Sequence, residues 1–198
     1  MSQTVIDSLS LKKAKTKTPV SRLIAKRWSA RSFSHRPIDD KDLFTILEAA
    51  SWAASSMNEQ PWKYMVAKNG SEAFEKMVDC LKPGNQPWAK NASVLMISLA
   101  DKYFAKTGSV NRHSMHDTGA ANANLMLQAA ELDIYGHLMG GFDMEKTLET
   151  FNITDHEEVV CFVALGYLDD PDSLEEPFKS RELAGRKRKN IDEFVNYL

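Results

Sequence analysis

Residues 92–100 read ASVLMISLA, an unbroken apolar stretch of strand length. A half-exposed strand alternates apolar and polar residues, so a run without alternation predicts a strand covered on both faces and placed centrally in a sheet. Outward from it, residues 159–168 (VVCFVALGYL) give a second strong strand, residues 62–67 a third, and residues 134–139 a short one broken by Gly140-Gly141. Between the strands the apolar spacing turns helical. Val20, Leu23, Ile24 and Trp28 mark a helix over residues 19–28, and Leu43, Phe44, Ile46, Leu47 and Ala50 one capped by Asp39 or Asp40. Phe74, Met77, Val78 and Leu81 line a helix over 71–81 that Pro83-Gly84 stops, and Asp143 caps one over 144–151. Residues 113–132, rich in Ala, Leu, Met and Asn and free of proline, predict a buried helix whose Gly119, Ala120, Ala121 and Ala123 admit another backbone closely. The pattern is that of an α+β fold.

The chain has 198 residues, 43% of them hydrophobic and 26% charged, enough for one domain with a sizeable core. A formal net charge of −2 gives no global bias toward nucleic acid or an anionic membrane. Cys80 and Cys161 stand apart, without a CxxC, so neither a disulfide framework nor a zinc module is indicated. With no membrane-length apolar run and no secretory signal pattern, a cytoplasmic location is expected. Residues 1–18, polar and Lys-rich, read as a mobile arm before Pro19, and residues 19–198 as a single domain without repeats or an internal linker.

Four stretches carry chemistry. Arg27-Trp28-Ser29-Ala30-Arg31 places guanidinium and hydroxyl groups where they can surround a phosphate, or equally where a solvated helix C-terminus collects cations. Residues 54–62 (ASSMNEQPW) offer amide and hydroxyl groups able to read the edge of a heteroaromatic ring, or a capped turn ending at Pro61. Gly140-Gly141 lets backbone approach a flat ligand, or makes an ordinary turn. Arg186-Lys187-Arg188-Lys189 is a phosphate clamp, a nucleic-acid patch or a solubilising tail. Among His113, His116 and Asp117 a pair at i, i+3 shares a helix face, but no further strong ligand lies nearby, so no metal is expected. Neither a GxGxxG nor a P-loop is present, which disfavours the classical dinucleotide and NTP folds.

Taken in order, RWSARSF, ASSMNEQPW, the helix from Asp117 to Ala130, GGFD and the terminal RKR resemble the FMN-dependent nitroreductase family over nearly the whole chain. The resemblance implies a three-layer α-β-α sandwich with a mostly antiparallel central sheet, and an intertwined homodimer holding two FMN molecules at its interface. It implies that Arg27 and Ser29 hold the phosphate and ribityl end, with Trp28 in the same segment and Arg31 near the pyrimidine ring. Ser55, Ser56, Met57 and Asn58 would reach the flavin from the partner subunit, and Asn85 would contact the ring. Gly140 and Gly141 would present backbone near the redox-active edge, and Arg186 and Arg188 would close on the phosphate. The sequence departs from the family pattern at Ala54, where many members carry Pro, and at Gly140, where some carry Glu.

The implied activity is transfer of a hydride from NADH or NADPH through flavin N5 to a small oxidised acceptor such as a nitroaromatic, a quinone or an enone. The cofactor carries that chemistry, so no catalytic side chain is assigned. Its rivals are a same-fold flavoenzyme with different chemistry, such as a dehalogenase or a flavin-consuming enzyme, and a non-catalytic flavin- or nucleic-acid-binding module.

Overall fold

A computed structural model describes residues 3–198. Four strands, β1 (Trp62–Lys68), β2 (Val94–Asp101), β3 (Tyr135–Met139) and β4 (Glu157–Gly166), form one sheet in the order β1-β2-β4-β3 with every pairing antiparallel. β2 and β4 are the inner pair, as their unbroken apolar runs predict. Along β2, Val94 and Met96 face one side while Leu95, Ile97 and Leu99 face the other, and β4 repeats this with Cys161, Val163 and Leu165 against Phe162 and Ala164. Strand period two thus divides the core into two clusters. Leu95, Met96, Ile97 and Leu99 are at most 1% exposed, each contributing about 1.5–3 kcal/mol by burial. The register slips between Ser98 and Leu99, whose partners are Cys161 and Val159, leaving Val160 as the extra residue of a β-bulge.

One sheet face is covered by α3 (Asp40–Ser51) and α6 (Ser114–Glu131), the other by α4 (Glu72–Cys80), α5 (Gln86–Ala89), α7 (Met144–Phe151) and α8 (Phe178–Leu183). This is the three-layer α-β-α arrangement. The caps follow local chemistry: Asp39 accepts from the Asp42 N–H at 2.7 Å, Ser71 from Phe74 at 3.2 Å and Asp143 from Lys146 at 3.1 Å.

Three expectations need correction. The arm expected over residues 1–18 instead contains a helix, α1 (Gln3–Lys12), because Val5, Ser8 and Leu9 find the core and the Lys12 ammonium donates to the Arg181 carbonyl at 2.7 Å. Met1 and Ser2 of that arm lie outside the described residues. The helix over 19–28 shrinks to α2 (Arg22–Lys26), since Arg27 is extended (φ −61°, ψ 128°) and the chain then bridges β3. On α6 only Ala121 of the four small residues is fully buried, while Gly119 and Ala123 face outward.

Candidate flavin site

Residues 28–30 run beside the free edge of β3, where Ser29 forms a parallel bridge with Gly136. Extended backbone sends alternate side chains to opposite sides. Trp28 and Ala30 are therefore buried, at 3% and 0% exposure, while Arg27, Ser29 and Arg31 remain accessible. The buried side is secured by Glu182 of α8, whose carboxylate accepts from Trp28 Nε1 and from the Arg31 backbone N–H, both at 3.2 Å. Burial raises the pKa of Glu182, opposed by the Trp28 hydrogen bond and the charges of Lys12 and Arg31. Trp28 also packs on Tyr135, with ring centroids 4.4 Å apart.

On the accessible side lies a cavity of about 420 Å³. Arg27 and Ser29 enter it from near the N-terminus, Arg186 and Arg188 from near the C-terminus, and Met126 of α6 and Leu138 of β3 give it an apolar wall. Arg186 is fixed by donating from Nη1 to the carbonyls of Lys12 and Ala25, both at 3.1 Å. Burial and the Arg188 charge lower the pKa of Arg27; burial and the charges of Arg27 and Arg188 lower that of Arg186. Both stay cationic at neutral pH, since arginine begins far above it. Among the described residues, none of the ion pairs involves Arg27, Arg186 or Arg188. Convergent guanidinium groups without a carboxylate suit a phosphate.

A second group gathers around Arg31. The Arg31 guanidinium lies 5.8 Å from the Trp88 ring centroid, and His137 lies 4.6 Å from the same ring. His137 falls to a pKa of about 4, chiefly through burial and then the Arg31 charge. Asn85 donates from Nδ2 to the Gly141 carbonyl at 3.0 Å, and a Cβ at Gly141 would stand 2.8 Å from that nitrogen. A side chain at Gly141 would have to push the Asn85 amide aside, whereas Gly140 has open space around it.

Residues 55–58 lie elsewhere. They form a 3₁₀ turn, Ser56–Asn58, in which Met57 and Asn58 both have φ of 55°, a left-handed conformation. The Ser56 N–H donates to Asp117 Oδ2 at 2.9 Å, pinning the turn to the first turn of α6. The phosphate-type cavity meets α6 at residues 123–127, about 9–15 Å farther along at 1.5 Å per residue. One chain therefore does not bring residues 55–58 to Arg27. Asp117 serves this turn, and no group of three metal-ligating side chains occurs among the described residues.

The sequence pattern of the Nitroreductase family matches residues 24–167. The chain belongs to the nitroreductase family. A protein of Archaeoglobus fulgidus, provisionally named NADH dehydrogenase/NAD(P)H nitroreductase, is 32% identical over 155 residues, covering 75% of this chain and 85% of that one. A solved structure described as an oxidoreductase containing FMN superposes with a TM-score of 0.87 at 34% identity, over 92% of this chain and 93% of the other. A nitroreductase family protein of Streptococcus pneumoniae shares the fold, with a TM-score of 0.71 at 21% identity over 89% and 98% of the two chains.

The nitroreductase match contains residues 27–31, 55–58, Asn85 and Gly140-Gly141, and ends before Arg186 and Arg188. Folding brings those two arginines to the cavity that Arg27 and Ser29 line. Sequence reading missed Glu182, Trp88 and His137. A lone acid in a polar C-terminal stretch and a single histidine on a short strand carry no spacing signal, and only the packing reveals their contacts.

Proposed function

We propose that this nitroreductase-family chain is an FMN-dependent oxidoreductase that accepts reducing equivalents from NADH or NADPH and passes them to a small oxidised acceptor such as a nitroaromatic, a quinone or an enone. The convergence of Arg27, Ser29, Arg186 and Arg188 on one cavity, with no carboxylate paired to the arginines, carries the reading. It meets the need of a flavin phosphate for fixed positive charge beside a hydroxyl donor. Bound FMN supplies reversible hydride chemistry. The protein's part is to hold and orient. Arg27, Ser29, Arg186 and Arg188 grip the phosphate end, Met126 and Leu138 exclude water from the wall, and Arg31, braced by Trp88, places a cation to favour developing negative charge. Asn85 and Gly140-Gly141 shape the neighbouring rim.

The working unit on this reading is a homodimer, with Ser55, Ser56, Met57 and Asn58 completing the site of the partner subunit. Their distance along α6 from Arg27 supports this, as does the outward exposure of Phe44, Trp52 and Met57 at 68%, 79% and 86%. Residues 19–198, with α1 docked on them, act as one flavin-binding domain. The test is the visible spectrum of the purified protein, followed by anaerobic NADH or NADPH. Flavin bands that bleach are expected; a colourless protein that takes up no added FMN sinks the proposal.

A further inference from the structure

A second cavity, of about 650 Å³, shares Arg186 and Arg188 with the first. Residues 14–18 and Val20 form one wall, and residues 186–191 with Phe194 the other. Its lining holds the cations Lys15, Lys17, Lys187 and Lys189 besides the two arginines, and no acidic residue. Two acids adjoin this lining in sequence, Asp192 and Glu193; neither lines the cavity, and Glu193 Oε1 accepts from the Asn190 N–H at 2.6 Å within the 3₁₀ turn Ile191–Glu193. Lys17 is held at the rim by donating to Asn190 Oδ1 at 3.0 Å. Against this charge stand Val20, Ile191 and Phe194, all accessible, with Phe194 at 65% exposure.

Cations gathered without counter-charge make a positive potential that a polyanion relieves. A flavin monophosphate brings one phosphate, and the first cavity already supplies the grip for it. The second adds more cations, with aromatic and aliphatic surface on which a base can stack. A half-open cleft of this volume suits a small molecule rather than a polymer.

We infer that the second cavity is an adenylate site, taking the adenosine 5′-phosphate half of a dinucleotide with its phosphate against Lys15, Lys17 and Lys187 and its purine against Phe194. The inference rests on the reading of the first cavity as the flavin-phosphate site, because Arg186 and Arg188 then stand between two adjoining phosphates. Two dinucleotides carry this group: FAD, whose adenylate is joined to the flavin phosphate itself, and NADH or NADPH.

The test starts with flavin-free protein titrated with FMN and with FAD, followed by flavin fluorescence. The FMN-loaded protein is then titrated calorimetrically with AMP and with adenosine 2′,5′-bisphosphate. The variants are Lys15→Ala/Lys17→Ala and Phe194→Ala, none of them in the flavin grip. If the adenylate belongs to FAD, FAD binds at least tenfold tighter than FMN, and the variants remove the advantage while FMN affinity holds. If it belongs to the nicotinamide dinucleotide, FMN and FAD bind equally and the loaded protein binds the adenosine phosphates, at least tenfold more weakly in the variants. Equal flavin affinities together with no adenosine-phosphate binding by the unmodified protein overturn the inference, whatever the variants do. Failure to bind FMN at all overturns the flavin reading instead.

Discussion

The Nδ1 nitrogen of His137 lies 3.0 Å from the carbonyl oxygen of Ala30. A carbonyl only accepts, so Nδ1 carries a proton and donates, while burial keeps the ring neutral at pH 7. The bond joins β3 to the residue between Ser29 and Arg31, holding the two candidate site residues on either side. The unfolded chain takes up a proton below about pH 6.5, which the folded ring refuses until about pH 4, so stability declines as pH falls through that window. Relative to pH 7.5, the wild-type chain should lose up to about 2 kcal/mol at pH 5 from this residue. His137→Asn, whose amide can keep the donor, should abolish that increment, and His137→Leu should also weaken flavin binding. Urea unfolding at the two pH values measures the first effect; an identical pH dependence in His137→Asn would refute it.

Arg27→Ala should weaken FMN binding by about 1.5–3 kcal/mol, the worth of a charge-assisted hydrogen bond, or roughly 10- to 100-fold. Arg27→Lys should recover part of the loss. Because Arg27 has no ion-pair partner among the described residues, the flavin-free variant should unfold near the wild-type temperature. Flavin titration at two salt concentrations and thermal unfolding check both statements.

Asp117 is 4% exposed and accepts from the Ser56 N–H and from His116 Nδ1, each at 2.9 Å. Burial pushes its pKa up, but the His116 and Ser56 hydrogen bonds and the histidine charges outweigh this and carry it below the usual aspartate value. Its stabilisation is present above that usual value and is lost as pH falls through the lower folded one. Asp117→Ala should cost about 1–3 kcal/mol at pH 7 by stranding the Ser56 N–H, and should lose less further stability than wild type on acidification. Denaturation at pH 7 and near pH 3 distinguishes the two chains.

A Cβ at Gly136 would collide with Met126 Sδ and stand 2.8 Å from Leu165 Cδ2. Gly136→Ala should therefore destabilise by about 1–3 kcal/mol through overpacking. Met126 lines the cavity and Ser29 bridges Gly136, so flavin affinity should fall with stability. Calorimetric unfolding paired with FMN titration tests this; a lower melting temperature with unchanged FMN affinity would mean that Met126 moves away from the cavity.

Much of the fold was legible because strand and helix leave short-range periods. The runs at 92–100 and 159–168 announced the inner strands, and Asp39 and Asp143 announced caps that act within four residues of themselves. The short helices α5 and α8 were not legible, since four and six residues are too few to show a period. α1 was missed because the Lys-rich run at residues 12–17 set the character of the arm as a whole, and its helix is stabilised by what it packs on.

For the candidate site, the sequence by itself determined the chemical inventory: two arginines around Ser29, two more near the C-terminus, and the glycine pair at 140–141. The tertiary structure alone decided that Arg186 and Arg188 meet Arg27 and Ser29, that the Gly141 opening is taken by Asn85, and that residues 55–58 stand apart from that cavity within one chain. The physical reason is range. Propensity, capping and periodicity act over a few neighbouring residues, whereas a binding site is set by which surfaces the folded sheet and helices bring together.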